Sequence, residues 1–175
     1  MQTLLIIDMQ NAWINEHPRY EIDAIFTRIN RLAQTFREQA QSVIFIRHHD
    51  TQTPIGSSDW EVHAQLVQQD GDRFVDKTAC DPFANTNLLE QLQALGTSTV
   101  TICGLATEFC VDSAIRASLS AGFDVQVISD AHTTADRSHL SAKAIIDHHN
   151  WVWANLAVPF GRSIEVKTAD SLGAR

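Results

Sequence analysis

The chain has 175 residues, of which 44% are hydrophobic and 19% charged, and its formal net charge is -8. Such a composition is globular rather than disordered, and the length suits one domain, residues 1–175, with a sizeable core. The acidic balance argues against nucleic acid or an anionic membrane surface as partner, and no apolar run approaches the roughly 20 residues of a membrane-spanning helix.

The first element in the chain is the apolar run "TLLII" (3–7), which reads as a buried strand ending at Asp8. The start "MQTLLIIDMQN" lacks a basic lead and a small-residue cleavage site, so it reads as a strand and not as a signal peptide. Residues 22–40 repeat apolar side chains at Ile22, Ile25, Phe26, Ile29, Leu32, Ala33 and Phe36, which is helical spacing. "SVIFIR" (42–47) is a second strand, and "RFVDK" (73–77) is a short third strand after the Asp70–Gly71 turn. A helix over 86–95 ends at Gly96, a plausible C′ glycine. Then come the strand "TVTICG" (99–104), a helix over 108–121 closed by Gly122, and the strand "DVQVISD" (124–130). A helix from Ser138 to about Asn155 and a last strand, "SIEVK" (163–167), complete the pattern.

Strands alternating with helices require crossover connections. The near-continuous apolar strands suit a sheet buried on both faces. The expected fold is α/β: three layers, α/β/α, with a mostly parallel, Rossmann-like sheet of about six strands. Ligands in such folds sit beyond the carboxyl ends of the strands. There the chain places Asp8, then "RHHD" (Arg47 to Asp50), then Lys77, then "GLATEFC" ending in Cys110.

An acid, a lysine and a cysteine on one edge suggest nucleophilic catalysis. A thiol attacks a carbonyl carbon as the thiolate, and a free cysteine titrates near about 8.5. Two features predict a lower value for Cys110. It lies in the first turn of a helix with Thr107 as plausible N-cap, and Lys77 supplies a nearby cation. Asp8 is the natural base and acid, and the Cys110 N–H with one from the preceding turn would bind an oxyanion.

The segments "LLIIDMQNAW", "DKTACDPF" and "VTICGLATEFCVDSAIRASLSAGFDVQVISDA" occur in the order and spacing of the isochorismatase-like cysteine hydrolases, and the chain resembles that family over almost its whole length. The resemblance implies a triad of Asp8, Lys77 and Cys110, and an oxyanion hole from the N–H groups of Ala106 and Cys110. It also implies a non-proline cis peptide between Leu105 and Ala106, turning the Ala106 N–H toward the substrate oxygen. The implied activity is hydrolysis of a small-molecule amide C–N bond through a Cys110 thioester, with Asp8 as base and acid and Lys77 as electrostatic partner. Two other readings stay open: vinyl ether hydrolysis, which needs no nucleophilic cysteine, and a catalytically quiet oligomeric or binding protein of the same fold. Family members usually form homodimers or higher assemblies, so a homo-oligomer is expected.

The remaining polar and aromatic residues sort less sharply. Trp13, His48, Trp60, Phe83, Thr107 and Phe109 are candidates for the substrate pocket, whose apolar walls would suit a small or planar amide. Trp60 and His63 resemble a loop that covers the site mouth in metal-free amidase-like members. His48, His49 and Asp50 reverse the Asp-x-His order of the family's metal-binding branch, so neither a metal nor any other cofactor is expected. Cys103 reads as a core residue and Cys80 as a neutral packing residue. An odd number of cysteines without a C-x-x-C pair argues against a disulfide framework or a zinc site built on cysteines and points to a reducing cytoplasm. Trp151 and Trp153 suggest helix packing or a subunit interface, and specificity would sit in the loops 11–20, 50–63 and 132–139.

Overall fold

The structure, a computed structural model, describes residues 1–172. Six strands form one parallel sheet: β1 (Gln2–Ile7), β2 (Ser42–His48), β3 (Arg73–Lys77), β4 (Thr99–Leu105), β5 (Asp124–Thr133) and β6 (Ile164–Lys167). Their spatial order is β3-β2-β1-β4-β5-β6, and every adjacent pair is parallel. The order reverses direction between β1 and β4, so the carboxyl ends of those two strands flank the crevice where ligands bind in doubly wound sheets.

Alternation along β1 fills two cores. Leu4 and Ile6 face the helix α2 (Ile22–Glu38), against its buried Ile25, Phe26, Ile29, Leu32, Ala33 and Phe36. Leu5 and Ile7 face the other layer, where they join Leu88 and Leu92 of α3 (Leu88–Ala94), Ile115 and Leu119 of α4 (Asp112–Ser120) and Trp153 of α5 (Ala142–Ala154). Two short helices lie outside the predicted pattern, α1 (Asn11–Asn15) and α6 (Ala169–Leu172). They are too short for a periodic apolar stripe to announce them. No helix among the described residues is long and apolar enough to cross a membrane.

Two boundaries move for identifiable reasons. The helix α5 begins at Ala142 rather than Ser138, because Ser141 caps it by accepting the Ala144 N–H at 3.2 Å. The chain entering α4 winds a wide turn first: Thr107–Val111 is π-helical, and the Ala106 carbonyl accepts from the Phe109 N–H (3.0 Å) and the Val111 N–H (3.2 Å), passing over that of Cys110. Such π-turns concentrate at functional sites. Thr107 is therefore not the N-cap that the sequence suggests. It lies within the turn, fully buried, and its hydroxyl is paired with His132 Nδ1 at 2.9 Å.

Gly104 lets β4 meet β1 closely just below this turn. Its φ is +115°, and a Cβ there would stand 2.2 Å from the Ile7 carbonyl oxygen. Gly104→Ala is expected to push the β1 end away and lower both stability and activity, because the displaced residue precedes Asp8. Thermal melting and turnover check this, and an alanine variant with unchanged melting temperature and rate would contradict the packing argument.

Candidate active site

Asp8 follows β1 directly and adopts a positive φ of 49°, a conformation few non-glycine residues take, though aspartate does so more readily than most. Its N–H donates to the Ile46 carbonyl at 2.9 Å. Lys77 ends β3, two strands away, and the β2–β3 register sets His48 beside it. The long lysine side chain runs past the end of β2 to reach Asp8. Its Nζ stands 2.8 Å from Asp8 Oδ2, 3.3 Å from Cys110 Sγ and 3.4 Å from His48 Nδ1. An ammonium has three N–H donors, and here each faces one acceptor.

The tautomer of His48 follows from that contact. Nδ1 must present its lone pair to the ammonium, which leaves the proton on Nε2. Burial lowers the His48 pKa, and the Lys77 charge lowers it further, so the ring is neutral near pH 7. Lys77 is wholly enclosed and Asp8 almost so, with side chains 0% and 4% exposed. Burial alone would lower the lysine, but the charge of Asp8 and the hydrogen bonds to Asp8 and the Cys110 sulfur oppose it, and the ammonium is held above the ordinary lysine range.

Cys110 departs from the sequence-based expectation. Its thiol is raised, not lowered, first by burial and then by the negative charge of Asp8; Lys77 opposes both and does not prevail. Burial is the largest cause, and the Lys77 cation is shared with Asp8 at 2.8 Å. The resting cluster is a carboxylate, an ammonium and a neutral thiol. Asp8 Oδ1, buried and without a hydrogen-bond donor, is the free acceptor beside it. The Leu105–Ala106 peptide is cis.

An open cavity of about 310 Å³ adjoins this cluster. Asp8 and Cys110 line it, with Trp13, His48, Ala106 and Phe109 among the sequence candidates. Three candidates lie elsewhere. Thr107 is buried within the π-turn. Trp60 is sandwiched against Arg47, whose guanidinium sits 3.8 Å from the ring centre, and its Nε1 donates to Asp76 Oδ1 at 3.1 Å. Phe83 is partly buried and packs against the core, its ring 6.3 Å from that of Phe123. Cys80 differs the other way: it is exposed and lines the cavity rather than packing.

His48 Nε2 and Asp50 Oδ2 are 3.9 Å apart, while His63 stacks on Phe26 at 4.7 Å. Among the described residues no three His, Cys, Asp or Glu side chains group as a metal-ligand set. Trp153 is core, its Nε1 donating to Asp112 Oδ1 at 2.8 Å, whereas Trp151 is 65% exposed.

Gln10 and His132 hold the site together, and sequence reasoning assigned neither. The buried Gln10 donates from Nε2 to the carbonyls of His48 (2.9 Å) and Trp60 (2.8 Å), and its Oε1 accepts the His48 N–H at 2.7 Å. It thus ties the ends of β1 and β2 to the 50–63 loop. Its only sequence signal is its place in the Asp-x-Gln of "IDMQ". His132 links Thr107 to α5, with Nε2 3.1 Å from Asn150 Oδ1. Because Asn150 Nδ2 donates to the Ser129 carbonyl, Oδ1 accepts, so the imidazole proton is on Nε2 and the Thr107 hydroxyl donates to Nδ1.

Burial pushes the His132 pKa down to about 4. In the unfolded chain it titrates near about 6.5. Stability from this neutral ring is therefore full above about pH 6.5 and is lost as pH falls toward about 4, by about 3 kcal/mol. Urea unfolding across this range is expected to show that slope in the wild type and not in His132→Gln. Parallel curves would contradict it.

With this geometry in view, the kinship of the chain is informative. Residues 2–158 match the family model described as "Isochorismatase domain". Streptothricin hydrolase of Streptomyces noursei is 28% identical over 78% of this chain. A ureidoacrylate amidohydrolase of Variovorax paradoxus is 27% identical over 65% of it. The chain spans 51% and 46% of those two proteins, about half their length. A crystal structure of an isochorismatase family protein superposes with a TM-score of 0.85 at 31% identity, covering 94% of this chain and 97% of that one. The chain belongs to the isochorismatase family of hydrolases.

Proposed function

We propose that the chain hydrolyses the C–N bond of a small-molecule amide through a thioester on Cys110. The observation that carries this reading is the single ammonium of Lys77 touching both Asp8 (2.8 Å) and Cys110 (3.3 Å) at the edge of an open cavity. The amidohydrolase among its relatives adds support.

The charge balance dictates the steps. At rest the cluster holds one negative charge on Asp8 and one positive charge on Lys77. Ionising the thiol outright would set two anions beside one cation in a buried site, which is why burial and Asp8 hold it up. Transfer of the thiol proton to Asp8 during attack keeps the sum unchanged. The sulfur then bonds the amide carbonyl carbon, and the oxyanion takes the N–H groups of Ala106 and Cys110. Asp8 returns its proton to the departing amine as the C–N bond breaks. Water, deprotonated by the same carboxylate, attacks the thioester and releases the acid and the thiol. Lys77 keeps its charge throughout and neutralises whichever partner is anionic.

Ammonia release across a panel of amides, carbamoyl compounds and lactams, with Cys110→Ala as control, tests the activity. No turnover of any of them would defeat the reading. The resting protonation state has its own test. Alkylation of Cys110 by iodoacetamide is expected to keep accelerating above the ordinary thiol pKa of about 8.5, because the thiol is raised. A rate that levels off below about pH 8 would mean a standing thiolate.

A further inference from the structure

The cavity carries two guanidinium groups, Arg19 and Arg137, for which the hydrolytic cluster has no use. Most of its ions are matched. Lys77 neutralises Asp8. Arg137 is held by Glu108, with Nε 2.8 Å and Nη2 2.6 Å from Oε1, and its Nη2 also reaches Thr134 Oγ1 at 3.2 Å.

Arg19 is different. Its side chain is only 5% exposed, and its nearest acid, Glu16, is 55% exposed and lies 3.7 Å from Nη2, beyond hydrogen-bond reach. The one hydrogen bond it makes among the described residues runs from Nε to the Trp13 carbonyl at 2.6 Å. Holding that carbonyl needs one N–H of the five an arginine carries. The other four, on the two Nη nitrogens, have no acceptor among the described residues, and Arg19 lines the cavity together with Glu16. Burial lowers the Arg19 pKa, Glu16 raises it, and the charge of Arg137 lowers it again, yet a guanidinium stays ionised at any working pH. A cation removed from water is costly unless an anion meets it.

We propose that Arg19 determines specificity by binding a carboxylate of the substrate, so that the chain acts on a small amide bearing a free acid, with the amide carbonyl at Cys110 and the acid on the Arg19 Nη pair. This deepens the hydrolytic reading above and rests on it for the amide half. The chemistry fits a carboxylate in particular: two parallel N–H donors match its two oxygens in a bidentate pair. The cavity volume of about 310 Å³ lies at the small end of ligand pockets, so a short linker joins the acid to the amide. Arg137, already neutralised by Glu108, adds no second anion site.

Binding separates this inference from the activity. The Cys110→Ala chain, which binds without turnover, is titrated calorimetrically with malonamate, succinamate and glutaramate. Each is compared with the neutral diamide of the same length: malonamide, succinamide and glutaramide. At least one acid is expected to bind tenfold or more tightly than its diamide. That preference disappears in Arg19→Met and is reduced in Arg19→Lys, which keeps the charge but lacks the fork. Since Nε also anchors the Trp13 carbonyl, Arg19→Gln is measured alongside, and the reduced preference in Arg19→Lys, which keeps the charge, decides the assignment if both neutral variants fail to fold. Equal affinities throughout, no binding of any acid, or a preference that survives loss of the guanidinium overturns the assignment. Acid binding with no ammonia release by the wild type from any amide of the panel would instead defeat the hydrolytic reading and leave the carboxylate site standing.

Discussion

Replacing Cys110 by alanine is expected to reduce kcat on any amide by on the order of 10⁴-fold or more, the scale of losing a covalent nucleophile. The fold should be unaffected, since Cys110 is only half-buried and no other residue depends on its sulfur for a partner except Lys77, which keeps Asp8 and His48. Asp8→Asn removes the base and acid and is expected to cost about 10²–10⁴-fold. The two losses will not add. Once the nucleophile is gone, the carboxylate has no thiol proton to take, so the double variant should be nearly as active as Cys110→Ala alone. Steady-state rates of the four proteins form the test. A Cys110→Ala protein within tenfold of wild type would rule out acyl transfer to this sulfur.

Lys77→Met is expected to cost about 3–5 kcal/mol of stability, the price of stranding one member of a buried ion pair. Lys77 is 0% exposed and Asp8 is 4% exposed, so neither water nor a neighbouring cation stands ready to replace the ammonium. The companion variant is informative. Asp8→Asn combined with Lys77→Met removes both charges and should recover much of the loss, because a neutral pair is tolerated where a lone carboxylate is not. Urea unfolding at neutral pH measures all three. A loss below about 1 kcal/mol in Lys77→Met would mean that the pair is effectively solvated, and the argument for a proton shared between Asp8 and Cys110 would fail with it.

Much of this architecture is legible in the residues because local pattern and tertiary role agree. The apolar stripe from Ile25 to Phe36 makes α2 and faces it to the sheet, and the glycines Gly96 and Gly122 follow α3 and α4 with positive φ. Asp8, Lys77 and Cys110 could be placed on one edge because parallel strands all end there. The protonation of Cys110 could not be read the same way. It depends on burial and on distances among three side chains from separate elements, neither of which the sequence states. Thr107 misled for a related reason: threonine before a helix resembles an N-cap, but the π-turn draws it inward to His132. Trp60 and Phe83 have the composition of pocket walls and are used instead to cover Arg47 and to pack against the core. Arg19 is marked only by its place in the 11–20 loop expected to carry specificity. It follows Pro18 in a stretch that reads as loop, and only the folded chain shows its side chain enclosed at the cavity wall.

The most direct test of a thioester on Cys110 is a single-turnover reaction, with enzyme in excess over an amide that it cleaves, quenched in acid at successive times and digested for peptide mass. The account predicts a transient gain on the peptide containing Cys110, equal to the substrate less its amine, which appears before the free acid and decays as the acid forms. Complete conversion with that peptide unmodified at every time point would contradict it.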